Sequence, residues 1–124
     1  MLILQLTMPP SLNQKLGNIK HKTAWNDWKY RERKRILKQL PEGFEPFSCD
    51  VYLYIDFYFP DNARRDLDNY LKALQDTLTL AGVWNDDSQV CDLIVKRQGV
   101  LPPGSCTLAI WPKSESDPLA DWIL

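Results

Sequence analysis

The chain has 124 residues, of which 44% are hydrophobic and 11% aromatic, and its formal net charge is −1 at pH 7. This length suits one domain with one core, and the apolar content excludes a disordered chain. Its three cysteines are an odd number without Cys-x-x-Cys spacing. That argues against a disulfide framework and a zinc site, and makes a reducing cytosol the default setting.

Positive charge is concentrated in the first 40 residues. They carry nine Lys or Arg against Asp27 and Glu32, whereas the rest of the chain carries six basic residues against fourteen acidic ones. Such asymmetry suits a polyanionic partner. The alternative is a basic helix face that is merely solvated, which is the more common meaning of a charge run.

In chain order, the first predicted element is a strand over residues 3–8, ended by the prolines of Pro9-Pro10-Ser11. This segment has no basic n-region and only a short apolar run, so it is predicted to be neither a signal peptide nor a membrane span. A loop rich in Lys and Asn follows. A helix with a basic polar face is then predicted from about residue 23 to 40, stopped by Pro41 and Gly43.

Residues 51–59 alternate apolar and other side chains and form the clearest predicted strand. A helix is predicted next, over about residues 68–81, because leucines recur at intervals of three and four. Asp66 and Asp68 lie at its start and Gly82 lies just past its end, as expected of helix termini.

The last part of the predicted fold is a turn over residues 83–88 and two strands over residues 90–96 and 107–111. The order β-α-β-α-β-β predicts an α+β fold, in which a small mixed sheet is packed with two helices. Residues 1–111 are predicted to be one domain, followed by a C-terminal tail over residues 112–124.

Two carboxylates, Asp66 and Asp68, lie two residues apart between the second strand and the second helix. If the backbone there is still extended, both side chains project to one side and can bind one hard cation, for which Mg²⁺ fits best. Asp86 and Asp87 follow a helix roughly 20 Å long, so spacing alone does not bring them to the first pair. Helix capping for the first pair and turn chemistry for the second are each more common than metal binding.

Lys72 lies four residues after Asp68, so one helix turn would separate the two side chains. The common meaning of this spacing is a surface ion pair worth roughly a few tenths of a kcal/mol. Near a phosphodiester, an ammonium would instead offset charge on the pentacoordinate phosphate or help to protonate the leaving oxygen. Both interpretations are open on the residues alone.

One block combines these residues without a gap, from Arg65-Asp66-Leu67-Asp68-Asn69 through Lys72-Ala73 and Asp76 to Asp86-Asp87 and Gln89-Val90. It closely resembles the core block of RusA-type Holliday junction resolvases, written roughly RDLDN-x-x-KA…D-x-L…AG-x-W-x-DD-x-QV. Pro9-Pro10-Ser11 and Asn13 also match the PPS-x-N loop of that family. A match at so many spaced positions is far more specific than a lone Asp-x-Asp.

The resemblance implies a role for individual residues. Asp66, Asp68 and Asp87 look like the family's three metal-binding carboxylates, and Lys72 looks like its catalytic lysine. The implied ion is Mg²⁺, with Mn²⁺ as a substitute ion and no organic cofactor. The residues predicted to contact DNA, some from the resemblance and some from the basic N-terminal segment, are Asn13, Lys15, Lys20, Lys22, Arg64 and Arg65.

The implied function is that of a homodimeric, Mg²⁺-dependent endonuclease, which resolves four-way DNA junctions by paired symmetric cuts in recombination and repair. Two coordinated cuts require two active sites, and one chain of this size supplies one. The implied setting is the cytoplasm of a bacterial or phage-infected cell, without a membrane partner. Two alternatives stay open. One is a catalytically weak junction-binding accessory protein of the same fold, and the other is a structural domain whose acids are only caps and turns.

The remaining aromatic residues and the single histidine have simpler interpretations. His21 lies between Lys20 and Lys22 and is predicted to belong to a phosphate-facing loop. Three tryptophans at apolar-face positions are predicted to lie in the core or in a dimer interface, namely Trp25, Trp28 and Trp84. Three tyrosines on the other face of the second strand are expected to pack under a helix or across a dimer sheet, and a place in the core is favoured, namely for Tyr52, Tyr54 and Tyr58.

Overall fold

The computed structural model describes residues 1–15 and 19–113, with the side chains of residues 14–19 outside that description. Four strands form one mixed sheet: β1 (Leu2–Thr7), β2 (Val51–Phe59), β3 (Val90–Val100) and β4 (Ser105–Pro112). The α-helices are a short turn α1 (Leu12–Lys15), the long α2 (Ile19–Gln39) and α3 (Leu71–Leu80). Two 3₁₀ helices are also present, the first over Leu67–Tyr70 and the second over Asp87–Gln89. The predicted α+β class and the order of the main elements are confirmed.

The strand order in the sheet is β1-β4-β2-β3. β2 and β3 pair in parallel, whereas β4 pairs antiparallel with both β1 and β2. A parallel pair needs a crossover connection, and the first 3₁₀ helix with α3 supplies it. The two ends of this crossover therefore lie at opposite ends of β2, which determines where the predicted site residues are placed.

The core lies between one face of the sheet and the two longer helices. Alternate residues of β2 point into it, and each of them is at most 3% exposed. They pack with Leu74 and Leu78 of α3 and with Ile36 of α2. Trp25, Trp28 and Trp84 are buried in the same core, as predicted.

The prediction that the three tyrosines of β2 belong to the core is wrong. Tyr52, Tyr54 and Tyr58 are half-buried on the opposite face of the sheet, where Tyr52 packs against Trp111. The reason is that side chains of a strand alternate between faces. In the described part of the chain, the core residues contributed by α2 and α3 pack on the other face only.

The predicted loop before the first long helix is also wrong in part. Helix α2 begins at Ile19, so Lys20, His21 and Lys22 lie on its first turns, and residues 12–15 form the turn α1. No proline or glycine occurs from residue 19 to residue 39, and Lys is a good helix former. The helix can therefore begin at residue 19, four residues before its predicted start. Similarly, β3 continues to Val100 instead of residue 96.

A buried acid on α2 fixes the end of β1. The carboxylate of Glu32 is 0% exposed and accepts hydrogen bonds from the Thr7 backbone N–H, at 2.7 Å, and from Arg35 Nε, at 3.1 Å. Trp28 Nε1 donates to the Thr7 hydroxyl at 2.9 Å. These bonds fix the point from which Pro9-Pro10-Ser11 leads towards the predicted site. The sequence pattern did not single out Glu32.

The proposed boundary between domain and tail is only partly covered by the structure. Pro112 is the last residue of β4 and Lys113 follows in a turn, whereas residues 114–124 of the predicted tail lie outside the described residues. The division at residue 111 therefore stays a prediction. Within the described ranges, the helices are all too short or too polar to span a membrane.

Candidate active site

Asp66 and Asp68 lie at the junction where the chain from β2 enters the first 3₁₀ helix. Asp66 has an extended backbone, with φ −92° and ψ 124°, and stands at the N-cap position, but its side chain makes no capping hydrogen bond. Asp68 lies in the first turn of the 3₁₀ helix. Both side chains are exposed. The capping explanation therefore fails for Asp66, whose carboxylate is available to an external ligand.

The expectation that Asp66 and Asp68 project from one extended segment is not met. The extended backbone ends at Asp66, because the 3₁₀ helix begins at Leu67. The carboxylate of Asp66 therefore projects from extended backbone and that of Asp68 from a 3₁₀ helix. They remain close in the chain, and neither is buried in the core.

Asp66 lines a polar pocket of roughly 360 Å³ that joins distant parts of the sequence. The Pro9-Pro10-Ser11 segment contributes Ser11 and the turn α1 contributes Asn13. The wall from the β2 crossover consists of Arg64, Arg65, Asp66, Asn69 and Tyr70. A carboxylate, two guanidinium groups and neutral hydrogen-bonding groups thus face one space, a composition that suits a phosphate with an accompanying cation.

The two arginines of this pocket differ in how they are held. Arg65 is 17% exposed, and its guanidinium donates to Asp61 Oδ1 at 2.7 Å and lies over the Phe59 ring at 5.2 Å. The bond to Asp61 raises the pKa of Arg65 and lowers the pKa of Asp61. Arg97 of β3 stacks on the same ring and donates to the Arg65 carbonyl oxygen. Arg65 thus stabilises the loop, whereas Arg64 is exposed to solvent.

Lys72 forms its ion pair with Asp76 and not with Asp68. Lys72 Nζ lies 2.9 Å from Asp76 Oδ1, one turn further along α3. Asp68 belongs to a 3₁₀ helix with three residues per turn, so a residue four positions later does not lie on the same face. The pKa of Lys72 is raised, first by the hydrogen bond and charge of Asp76 and to a smaller extent by the charge of Asp87.

Asp86 and Asp87 are neighbours with different roles. Asp86 Oδ1 accepts from the Ser88 backbone N–H at 3.1 Å, and Gln89 Oε1 accepts from the Asp86 N–H at 2.8 Å, which makes a capping box. The bond from Ser88 lowers the pKa of Asp86. The turn explanation is therefore confirmed for Asp86. Asp87 is half-buried and faces a second pocket, lined by Lys29, Asp76, Thr79, Leu80, Asp86 and Asp87.

The structure brings the predicted site residues together in two groups. Asn13, Arg64, Arg65 and Asp66 line the first pocket, whereas Asp87 lines the second together with Asp76, the ion-pair partner of Lys72. Across residues 1–15 and 19–113, no set of three or more acidic, His or Cys side chains is arranged to hold a metal ion. Carboxylate oxygens are the donors that Mg²⁺ prefers. The assignment of Asp66, Asp68 and Asp87 as metal ligands stays a prediction.

The remaining predicted DNA contacts do not line the first pocket or lie outside the description. Lys20 and Lys22 are exposed on α2, and the side chain of Lys15 is not described. The ion pair of Asp76 with Lys72 and the contact of Arg97 with Arg65 were not predicted from the sequence. The spacing of four between Lys72 and Asp76 was a usable signal for the first. No sequence signal predicted the contact of Arg97 with Arg65, because the two residues are 32 positions apart.

Comparison with known proteins identifies the family. The sequence pattern of the family described as "Endodeoxyribonuclease RusA" matches residues 7–104. The crossover junction endodeoxyribonuclease RusA of Escherichia coli (strain K12) is 37% identical over 110 residues, which cover 85% of this chain and 89% of that protein. The protein of the same name from Enterobacteria phage 82 has the same identity and coverage. The chain therefore belongs to the endodeoxyribonuclease RusA family.

Proposed function

We propose that this chain is an endodeoxyribonuclease that resolves four-way (Holliday) junctions in DNA recombination and repair. The relatives that support this proposal are named crossover junction endodeoxyribonucleases. The structural observation that carries it is the uncapped carboxylate of Asp66, which shares a pocket with Arg64 and Arg65. A carboxylate without an internal role beside two guanidinium groups suits chemistry on a phosphodiester better than it suits fold stability.

The proposed cofactor is Mg²⁺, with Mn²⁺ as a substitute, held by Asp66, Asp68 and Asp87. When bound, such an ion lowers the pKa of a coordinated water and polarises a phosphoryl oxygen. The chain supplies the charge around it. Lys72 lies 2.9 Å from Asp76 Oδ1, and its ammonium would offset negative charge that develops on the phosphate or protonate the leaving 3′ oxygen.

The DNA backbone is proposed to lie against the first pocket and the exposed start of α2. Arg64 is the exposed guanidinium of the pocket, and Lys20 and Lys22 are exposed on the first turns of α2. Such side chains neutralise phosphates and make binding salt-dependent. Arg65 is held by Asp61, so its contribution is to shape the loop that carries Arg64 and Asp66.

A homodimer is the proposed active form. Paired symmetric cuts at a junction require two equivalent sites, and each chain carries one set of the predicted residues. Two-fold symmetry in the protein would match the near two-fold symmetry of a four-way junction. Sedimentation of the protein with and without junction DNA tests this part of the proposal independently of cleavage.

A catalytically weak junction-binding protein of the same fold is the second candidate. The observation in its favour is that the described part of a single chain contains no group of three acids arranged for a metal. The two candidates share the DNA-binding residues and differ only in the chemistry. Cleavage therefore separates them.

The test uses a labelled synthetic four-way junction beside a linear duplex of the same sequence, with Mg²⁺ or with a chelator. Wild type, Asp68→Asn and the charge-matched control Glu42→Gln are compared, since Glu42 is exposed after α2 and far in sequence from the block. Symmetric nicking of the junction alone, which needs Mg²⁺ and is lost only in Asp68→Asn, supports the nuclease. Tight binding without cutting by wild type supports the accessory protein.

A further inference from the structure

Arg97 connects β3, at one edge of the sheet, to the loop that carries residues of the first pocket. Its guanidinium donates a hydrogen bond to the carbonyl oxygen of Arg65 and lies 5.3 Å from the centre of the Phe59 ring. The guanidinium of Arg65 lies over the same ring, at 5.2 Å. The Arg65 carbonyl belongs to the peptide unit that leads into Asp66, so Arg97 holds the backbone between two residues that line the pocket.

The register of the sheet directs Arg97 to this loop. β3 pairs in parallel with β2, and Arg97 lies opposite the buried Phe57, so its side chain leaves the face of the sheet that carries the core. The pairing is irregular directly after this point, because Tyr58 pairs with Gly99 and residue 98 is left out of the pairing with β2. A bulge of this kind redirects neighbouring side chains. Arg97 nevertheless remains exposed, since β3 is the last strand on this side of the sheet.

The contacts of Arg97 differ in kind from those of Arg65. Arg65 pairs with a carboxylate, because Asp61 Oδ1 lies 2.7 Å from its guanidinium. Within residues 1–15 and 19–113, Arg97 forms no ion pair, and its contacts with the loop are to a neutral carbonyl and to an aromatic ring. A planar guanidinium can make both contacts at once, whereas a lysine ammonium has no flat face to stack on a ring. The attachment of the loop to β3 therefore depends on the shape of Arg97 as well as on its charge.

We propose that Arg97 is a positioning residue for DNA binding, which holds the loop of residues 64–66 in the conformation in which Arg64 binds a phosphate of the junction. This rests on the proposed function, because it takes the exposed Arg64 as a phosphate contact. Arg97 does not line the first pocket, so it acts through the loop and not on the phosphate itself. Without Arg97 the Arg65 carbonyl loses this donor, and ordering the loop then costs part of the free energy of DNA binding.

Lys96 provides a matched control on the same strand. It is exposed like Arg97 and carries the same charge, but its ammonium lies over the Tyr54 ring at 5.8 Å, on the opposite face of the sheet. The experiment measures the binding of a labelled four-way junction by fluorescence anisotropy at several salt concentrations, with a chelator present so that the DNA stays intact. Arg97→Met, Arg97→Lys and Lys96→Met are made alone, and the two Arg97 variants are also combined with Arg64→Met. Circular dichroism verifies folding, and Arg97→Lys completes the cycle if Arg97→Met does not fold.

Arg97→Met is expected to weaken junction binding about fivefold, and this loss should fall below about twofold in the Arg64→Met background, because the two residues act through one loop. The slope of log K against log salt should change little in Arg97→Met, since the bound complex keeps its phosphate contacts, whereas loss of a direct phosphate contact lowers the slope by about 0.9. Arg97→Lys should lose nearly as much binding as Arg97→Met, because it keeps the charge without the planar group. Lys96→Met should bind like wild type.

Four results would overturn the proposal. The first is wild-type binding by Arg97→Met, and the second is an equal loss with and without Arg64, which would assign Arg97 to the fold or to an independent contact. The third is a slope lowered by about 0.9 together with wild-type binding by Arg97→Lys, which would make Arg97 a direct phosphate contact. The fourth is an equal loss in Lys96→Met, which would reduce the effect to general charge. Failure of the proposed function looks different, because wild type would then bind the junction no better than linear duplex.

Discussion

The two polar pockets use their carboxylates differently. In the second pocket, Asp86 is engaged by its own turn and Asp76 by Lys72, so two of its three acids have partners within the chain. In the first pocket, Asp66 stands at an N-cap position without capping anything. Acids of the same type and similar spacing can therefore stabilise the fold or be left for a ligand, and only the hydrogen bonds distinguish them. Substitutions of the two kinds of acid should therefore differ in their effects on cleavage and on stability.

The largest effect is expected at Asp66. Asp66→Asn should reduce cleavage of a four-way junction by about 10³-fold or more, since it removes a proposed oxygen ligand. The unfolding free energy should change by less than about 0.5 kcal/mol, because the exposed side chain caps nothing. Gel-based cleavage rates and urea denaturation of the same preparations measure the two quantities. A large loss of stability would assign Asp66 to the fold.

The buried Glu32 is expected to show the opposite behaviour. Glu32→Ala leaves the Thr7 N–H without its acceptor and should lower the unfolding free energy by about 2–3 kcal/mol. Cleavage by the fraction that remains folded should fall much less than in Asp66→Asn. Urea denaturation gives the first value, and initial rates well below the unfolding midpoint give the second. Unchanged stability would contradict the role given to Glu32 at the end of β1.

Substitutions of the two arginines of the first pocket should affect different properties, namely DNA binding for Arg64 and stability for Arg65. Arg64→Met should weaken junction binding about equally for all sequences and reduce the slope of log K against log salt by roughly one. Arg65→Met should lower the thermal midpoint, because Arg65 donates to Asp61 and packs on Phe59. Fluorescence anisotropy at several salt concentrations and a thermal melt distinguish the two. A reversed pattern would make Arg65 the exposed contact.

The smallest effect is expected at Asp86 and depends on pH. Its pKa is lowered in the folded protein, chiefly by the Ser88 N–H, so it stabilises the fold above the unfolded carboxyl pKa. This stabilisation is lost as pH falls through the lowered folded pKa. Asp86→Ala should therefore melt below wild type at neutral pH, and the two midpoints should converge in strong acid. A difference that persists unchanged in acid would exclude this cause.

Much of the fold followed from patterns within short segments. The alternation over residues 51–59 and the leucine spacing of α3 predicted elements that the structure contains. What could not be predicted depends on contacts between distant residues. The strand order, the position of Arg97 against Arg65 and the buried Glu32 against Thr7 leave no local trace in the sequence. Lys72 pairs with Asp76 and not with Asp68 because Asp68 lies in a 3₁₀ helix, and the sequence spacing did not predict that helix.

In the site, too, some features followed from local sequence and others did not. The resemblance of residues 65–90 to a known block identified the candidate acids, but it did not separate Asp86 from Asp87, which are adjacent in the chain. That separation needs the surroundings of each side chain: Asp86 is exposed and accepts from Ser88, whereas Asp87 is half-buried and lines the second pocket. Turn chemistry therefore applies to Asp86, whereas metal binding is the role proposed for its neighbour Asp87.

Asp87 is proposed to serve the reaction, whereas Asp86 serves the turn. The most direct test compares Mg²⁺-dependent cleavage of a four-way junction by Asp87→Asn and Asp86→Asn, since Asn removes one charge in each case and still caps a helix well. Asp87→Asn should lose cleavage by about 10³-fold while remaining folded, and Asp86→Asn should stay within about threefold of wild type. Equal losses in the two variants, or a larger loss in Asp86→Asn, would contradict it.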